Sequence, residues 1–292
     1  MKQQRVHAIY QLIAASVLWS SAGILIKSIE LNAMALSSAR AGIAIIVFLL
    51  YLRRGFRITK YHLLGGITYA ANSLLFVAAN KLTTSANAIL LQFTAPIWVA
   101  LFALWFLKEK IRRSDWAAVA LVTIGMVLFF LGDLEIGHLI GNILAVASGI
   151  AMAGFVIAAK LDPDRDSAEY VLIGNLINFF IGLPYLLKSG GSLDFDSGAM
   201  LVVLGIFQLG LPYILYTKAI PNVSSLEAIL ITILEPILNP LWVVLFTGEK
   251  PGVWALVGGL IVVTTVVIHG IYQAKAVKPD RSEQVTSPQS IY

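Results

Sequence analysis

NVSSLEAILITILEPILNPLWVVLFTGEK, residues 222–250, decides how the rest of the chain is read. The stretch is apolar, and it exceeds the ~20 residues a helix needs to cross a bilayer. It nonetheless carries Glu235 near its centre, Pro236 directly after it and Pro240 one turn on. A near-copy lies earlier, at residues 82–110: LTTSANAILLQFTAPIWVALFALWFLKEK. A shift of 140 residues sets Pro96 on Pro236, Ala88-Ile89-Leu90 on Ala228-Ile229-Leu230, and Glu109-Lys110 on Glu249-Lys250. Ala95 falls on Glu235, so only one copy offers a mid-membrane acid. A membrane segment that is duplicated, broken by proline and acid-bearing in one copy points to a transport pathway.

Composition agrees with a membrane chain. The hydrophobic fraction is 58%, charged residues are 13%, and mean hydropathy is +0.83. Soluble domains are about half apolar and about one quarter charged. Ten spans of about 20 residues would use roughly 200 of the 292 residues. That leaves short loops and no room for a soluble domain. There is no cysteine, which removes thiol chemistry, disulfides and cysteine metal sites. The +5 charge does not indicate nucleic acid, because no extended basic stripe exists. The apolar run after the basic start reaches about Ile26, too long for a signal-peptide core, and reads as an uncleaved first span.

Spans are expected near 7–27, 32–52, 61–80, 83–107, 115–131, 138–160, 167–187, 197–217, 222–246 and 252–273. They are read as helices, since open sheet edges cannot be satisfied in lipid. If the N-terminus is cytoplasmic, the outer loops hold only Lys27, Lys81, Lys188 and Lys250, and Arg40 lies within a span. The other sixteen of the 21 Lys and Arg fall inside, so both termini are expected in the cytoplasm. Asp133 and Glu135 mark an outer turn, and Asp162, Asp164, Asp166 and Glu169 an inner one. Residues 188–198 form a Gly/Ser loop. The polar residues 274–292 are expected to be a disordered cytoplasmic tail.

The 140-residue shift divides the chain into residues 1–132 and 136–273, each with five spans. Five is odd, so the second copy must lie upside down relative to the first. The expected fold is therefore an all-α membrane protein of ten transmembrane helices in two inverted five-helix repeats.

Pro96, Glu109 and Gly125, with Glu235-Pro236, Gly248-Glu249 and Gly258, resemble the drug/metabolite transporter superfamily, in its EamA-like branch. The resemblance covers about residues 7–273. It implies a central cavity between the halves and secondary transport of small polar metabolites. Many bacterial members resemble exporters of amino acids or metabolites, and some are importers.

Candidate residues follow from depth. Glu235 lies about 13 residues past Asn222, roughly 20 Å along a helix and near the midplane. A bare carboxylate is costly there, so it should face the interior and be paired or protonated. It would meet a substrate ammonium or carry a coupling proton; otherwise it orders the kink by bonding a neighbouring helix. Pro96, Pro236 and Pro240 remove backbone donors, freeing the carbonyls of Gln92, Thr232 and Pro236. They are gates of the pathway or fixed kinks. Arg40 would meet a substrate carboxylate or Glu235, or else snorkel to the outer interface. Tyr69 and Asn72 share a helix face, and Gln92 sits one turn before a kink; all three are cavity candidates, as are Trp19 and Tyr213. Asn80, Asn87, Thr94, Asn175, Asn178, Gln208 and Tyr216 are further polar positions that either line the cavity or join helices.

Ser224-x-x-Glu227 reads as a capping box, with Thr84-x-x-Asn87 as its copy. Glu109 and Glu249 read as loop ion pairs across the halves. Gly137, Gly141, Ala145, Gly149 and Ala153 read as close packing within the bundle, or as a dimer face.

No phosphate-binding loop, HExxH or GxSxG motif occurs, so neither ATP-driven pumping nor an enzyme is expected. No cofactor or metal is called for. The expected function is secondary transport of a small polar solute across the bacterial inner membrane. An amino acid or related amine fits best, export is the favoured direction, and a proton could be coupled. The alternatives are import of a cationic or nucleobase-like solute, or a non-transport accessory or lipid-handling role. Oligomeric state is not specified by the sequence.

Overall fold

The structure, a computed structural model, describes residues 2–20, 29–53, 55, 58–132, 134, 136–162, 166–189, 195–238 and 252–276. Pro240, Trp242, Glu249, Lys250, Lys27, Asp133, Glu135, Asp164 and residues 277–292 of the expected tail lie outside these. The described chain forms helices α1 (Lys2–Trp19), α2 (Ala33–Leu52), α3 (Lys60–Leu82), α4 (Ser85–Gln92), α5 (Ala95–Phe102) and α6 (Arg113–Phe129). There follow α7 (Leu139–Leu161), α8 (Ser167–Lys188), α9 (Phe195–Val203), α10 (Leu211–Ala219), α11 (Ser225–Thr232) and α12 (Val253–Ala276). No strand occurs among the described residues. Seven described helical stretches are long and apolar enough to span a membrane: 33–52, 60–82, 85–107, 139–161, 167–188, 195–222 and 253–274. The chain is a multi-pass membrane protein.

Helix starts follow local chemistry. Asn32, Thr84 and Ser224 each accept, through a side-chain oxygen, the backbone N–H three residues on. This satisfies one of the donors that a helix start leaves free. The breaks fall where proline puts them. The fourth stretch is interrupted at Phe93–Thr94, ahead of Pro96, and the ninth at Ile233, ahead of Pro236, with helix resuming over 234–238. α9 and α10 are joined by a π-helical stretch, Leu204–Gly210. One expectation is corrected: residues 274–276 are helix, not tail. Ala274 and Ala276 favour helix, and Gln273 ties the last turns to Asp115 at 2.9 Å.

The helices pair in a specific way. α3 packs along α7, α2 along α8, α6 along α12 and α1 along α10, while α5 meets α11. Small residues set the approach. A Cβ on Gly141 would lie 2.8 Å from the Leu82 carbonyl carbon, and one on Gly258 2.4 Å from the Gly125 oxygen. Gly141, Ala145, Gly149 and Ala153 therefore serve packing inside the bundle, whereas Gly137 precedes α7 and is exposed. The same contact sets the end of α3 beside the start of α7. The opposite end gathers Arg53, Lys60, Lys108, Lys110, Arg112, Arg113, Lys160 and Lys218, and is called the basic end below.

Candidate functional site

The centre of the bundle is built from freed backbone. Pro212, like Pro96 and Pro236, cannot bond the carbonyl four residues before it. The carbonyls left over belong to Gln92, Gln208 and Thr232. The indole nitrogen of Trp19 donates to the Gln208 carbonyl at 2.9 Å, which pulls α1 onto the π-helical stretch. The Gln92 carbonyl faces Gly149, where a Cβ would sit 2.5 Å from the oxygen. Only glycine lets α7 come this close. Pro212 was not among the expected breaks, although the same i−4 rule applies to it.

Between these elements lies a cavity lined by Trp19, Arg40, Asn72, Ser73, Phe76, Gln92, Met152, Gln208, Leu209, Tyr213 and Glu235. Its volume, counted for water centres, is about 40 Å³. A water needs roughly 10–15 Å³ by that measure. The cavity thus holds a few waters, and a metabolite enters only if the walls move.

Arg40 is buried, 1% exposed, and does not snorkel. Its guanidinium donates to Gln208 Oε1 at 3.0 Å and to Ser73 Oγ at 2.9 Å, and its Nε has no partner. No carboxylate bonds it among the described residues. Glu235 lines the same cavity and makes no hydrogen bond or ion pair among them either. A guanidinium and a carboxyl group thus share one cavity without bonding each other among the described residues. Gln92, the last residue of α4 before the first proline break, donates to Asn72 Oδ1 of α3 at 3.0 Å.

Tyr69 does not line the cavity. It stands behind Tyr213, ring centroids 4.8 Å apart, and its hydroxyl accepts from Asn175 at 3.2 Å. Trp19 lies edge-on to Tyr213 and Tyr216 at 4.9 and 5.4 Å, and Phe155 stacks near Tyr216. These rings form an apolar plug beside the cavity. Other polar candidates bond locally instead: Asn80 donates to the Phe76 carbonyl of its own helix, Asn87 to Thr83, and Thr94 to the Leu91 carbonyl, while Asn87 also reaches Asn142 of α7 at 3.4 Å. Tyr216 and Asn178 are buried away from the cavity. Pro96 and Pro236 are buried at the two breaks. Ser73, Phe76, Met152 and Leu209 were not foreseen. Three of the walls belong to one stripe, 72, 73 and 76 following Tyr69, which is helical spacing that the sequence did display.

The basic end is tied by charge. Arg5 pairs with Glu227 and donates to the Gly270 carbonyl. Lys160 donates to the Val223 carbonyl. Ser225 donates to Glu109 Oε1 at 2.8 Å, so Glu109 does bridge the halves, through a hydroxyl. Glu227 is an ion partner as well as part of a helix start, a correction to its reading as a cap. Buried His62 bonds Glu169 at 2.7 Å, and buried His269 bonds Asp115 at 2.8 Å. Glu169, expected at a turn, is therefore interior.

Comparison with known proteins fits this geometry. A family model described as "EamA-like transporter family" matches twice, over residues 7–131 and 139–270. "Uncharacterized transporter YdfC" of Bacillus subtilis is 25% identical over 206 residues, 69% of this chain and 67% of that protein. Human "Solute carrier family 35 member G1" is 24% identical over 280 residues, 88% of this chain and 76% of that one. A solved crystal structure aligns with a TM-score of 0.76 at 17% identity, covering 93% of this chain and 99% of its own, which speaks to fold alone.

Proposed function

The chain belongs to the EamA-like transporter family, and on that premise we propose that it is a secondary transporter of a small polar metabolite. The substrate class is an amino acid or related amine. It crosses a bacterial inner membrane by alternating access, with export the favoured direction. The observation that carries this reading is the unjoined pair on one cavity. Arg40 presents an unpartnered Nε, and Glu235 lines the same cavity with a carboxyl group that bonds nothing among the described residues. A buried charge without a partner costs several kcal/mol. A zwitterion bound between them supplies a carboxylate to one and an ammonium to the other. Glu235 is also the group placed to exchange the ammonium for a coupling proton.

The two-repeat reading is supported by pairing. Under exchange of the halves, α3 against α7 becomes α9–α10 against α1, and both contacts occur. α2–α8, α5–α11 and α6–α12 map onto themselves. The double match of the family model agrees with that division. Ten spans, inverted halves and cytoplasmic termini follow from the odd span count and the Lys and Arg distribution. A cavity too small for substrate is then one station of a cycle whose walls must part on each side in turn.

A second reading is import of a cationic solute, favoured by Glu235 sharing its cavity with Trp19, Phe76 and Tyr213. Flux in proteoliposomes, with and without a proton gradient, separates the two. The panel holds amino acids, the amines they give on decarboxylation, the acids they give on deamination, and nucleobases. Amino acids should move roughly tenfold faster than the amines, because a site built to bond a group rejects analogues without it. Faster amine flux selects the second reading, and no flux for any of them removes both.

A further inference from the structure

The membrane face between α6 and α12 carries a second site. A groove of about 480 Å³ runs there, lined by Ser114, Ala117, Leu121, Leu260, Thr264, Ile268 and their neighbours. Its walls are apolar and open to the bilayer: Leu121 is 48% exposed, Leu260 70% and Ile268 61%. Among the described residues α6 packs mainly on α12, so the pair stands at the rim of the bundle. At the basic end the groove begins at Ser114. There Arg112 and Arg113 are exposed, with exposed Lys108 and Lys110 just before them. The Ser114 hydroxyl is buried and has no partner. Asp115, the acid nearest this end of the groove, is buried and bonded by His269 and Gln273, so its carboxylate faces the bundle and not these exposed cations.

We propose that this groove binds one anionic phospholipid. An acyl chain lies between α6 and α12, and the headgroup phosphate meets Arg112, Arg113 and the free hydroxyl of Ser114. Basic sites beside transmembrane helices favour anionic headgroups. A second copy of the chain is the other occupant of such a face. Charge argues against it, since a two-fold contact here would bring two sets of Lys108, Lys110, Arg112 and Arg113 together. The site is separate from the central cavity, and its test does not depend on which solute is carried.

The test offers the detergent-purified full chain equal amounts of phosphatidylglycerol and phosphatidylcholine and counts retained lipid by native mass spectrometry. Phosphatidylglycerol should be retained roughly thirtyfold more, on the scale of two arginines at a headgroup. In Arg112→Gln/Arg113→Gln the preference should vanish. In Ala117→Trp, an exposed position whose side chain would fill the groove, retention of both lipids should fall. Equal retention by the unaltered chain, or an unchanged preference in the double variant, overturns the proposal. The chain has no cysteine, so Ala117→Cys gives a clean probe. Disulfide-linked dimers in membranes would place a second copy in the groove and also overturn it.

Discussion

The two proline-broken helices have related sequences and opposite characters. In the first, α4 and α5, the break is clamped. Gln92 bonds Asn72, and Gly149 leaves no space over the Gln92 carbonyl. In the second, α11 and residues 234–238, the break carries Glu235, whose carboxylate bonds nothing among the described residues. A Cβ on Gly259 would meet Ile237 at 3.6 Å, ordinary van der Waals contact. One copy of the motif is a hydrogen-bonded wall and the other carries the acid, with only ordinary van der Waals contact to α12 at Ile237. Duplication supplied the shape twice, and Ala95 against Glu235 divides the labour.

The largest effect should come from the acid itself. In Glu235→Gln, amino-acid flux should fall roughly a hundredfold, the scale of a buried charge losing its partner. The amide keeps the size but can neither balance an ammonium nor exchange a proton at neutral pH. The pH profile of the residual flux should flatten. Wild-type flux with an unchanged profile would remove Glu235 from the mechanism and make both breaks structural.

Next comes the clamp. Gly149→Ala should destabilise by about 1–3 kcal/mol through overpacking against the Gln92 carbonyl. Gly259→Ala should cost nothing or stabilise by up to about 1 kcal/mol, the helix preference of alanine over glycine. Thermal unfolding of both variants in detergent measures the contrast. Equal losses would mean that the second break is as tightly held as the first.

Much of this contrast is legible in the amino-acid order alone. Pro96 and Pro236 announce the breaks, because a missing N–H has one consequence at i−4. Depth and helix face place Asn72, Gln92, Tyr213 and Glu235 at the cavity. Arg40 resists such a reading, since its long stem allows snorkelling or burial, and only the positions of Ser73 and Gln208 decide. Tyr69 shares the face of Asn72 yet is screened by Tyr213, which belongs to a helix about 140 residues away. His62–Glu169 and Asp115–His269 are equally non-local, so their residues look like span-end polar groups. The π-helical stretch at 204–210 shifts the register of its helix, which no period-3.6 pattern reports.

The smallest effect tests whether the two copies still share a start. Thr84 Oγ1 accepts from Asn87 N at 3.1 Å, and Ser224 Oγ from Glu227 N at 3.1 Å. Removing either hydroxyl costs one cap bond, about 1 kcal/mol. Thr84→Ala and Ser224→Ala should therefore lower stability by similar amounts in the same melt. The second helix has a further anchor, because Glu227 reaches Arg5 and Ser225 reaches Glu109. If those ties depend on the cap, Ser224→Ala will cost clearly more, and pairing it with Arg5→Gln will lose less than the sum of the two. If they do not, the pair will be additive. In that case the duplicated helix starts have remained equivalent while the breaks beyond them diverged.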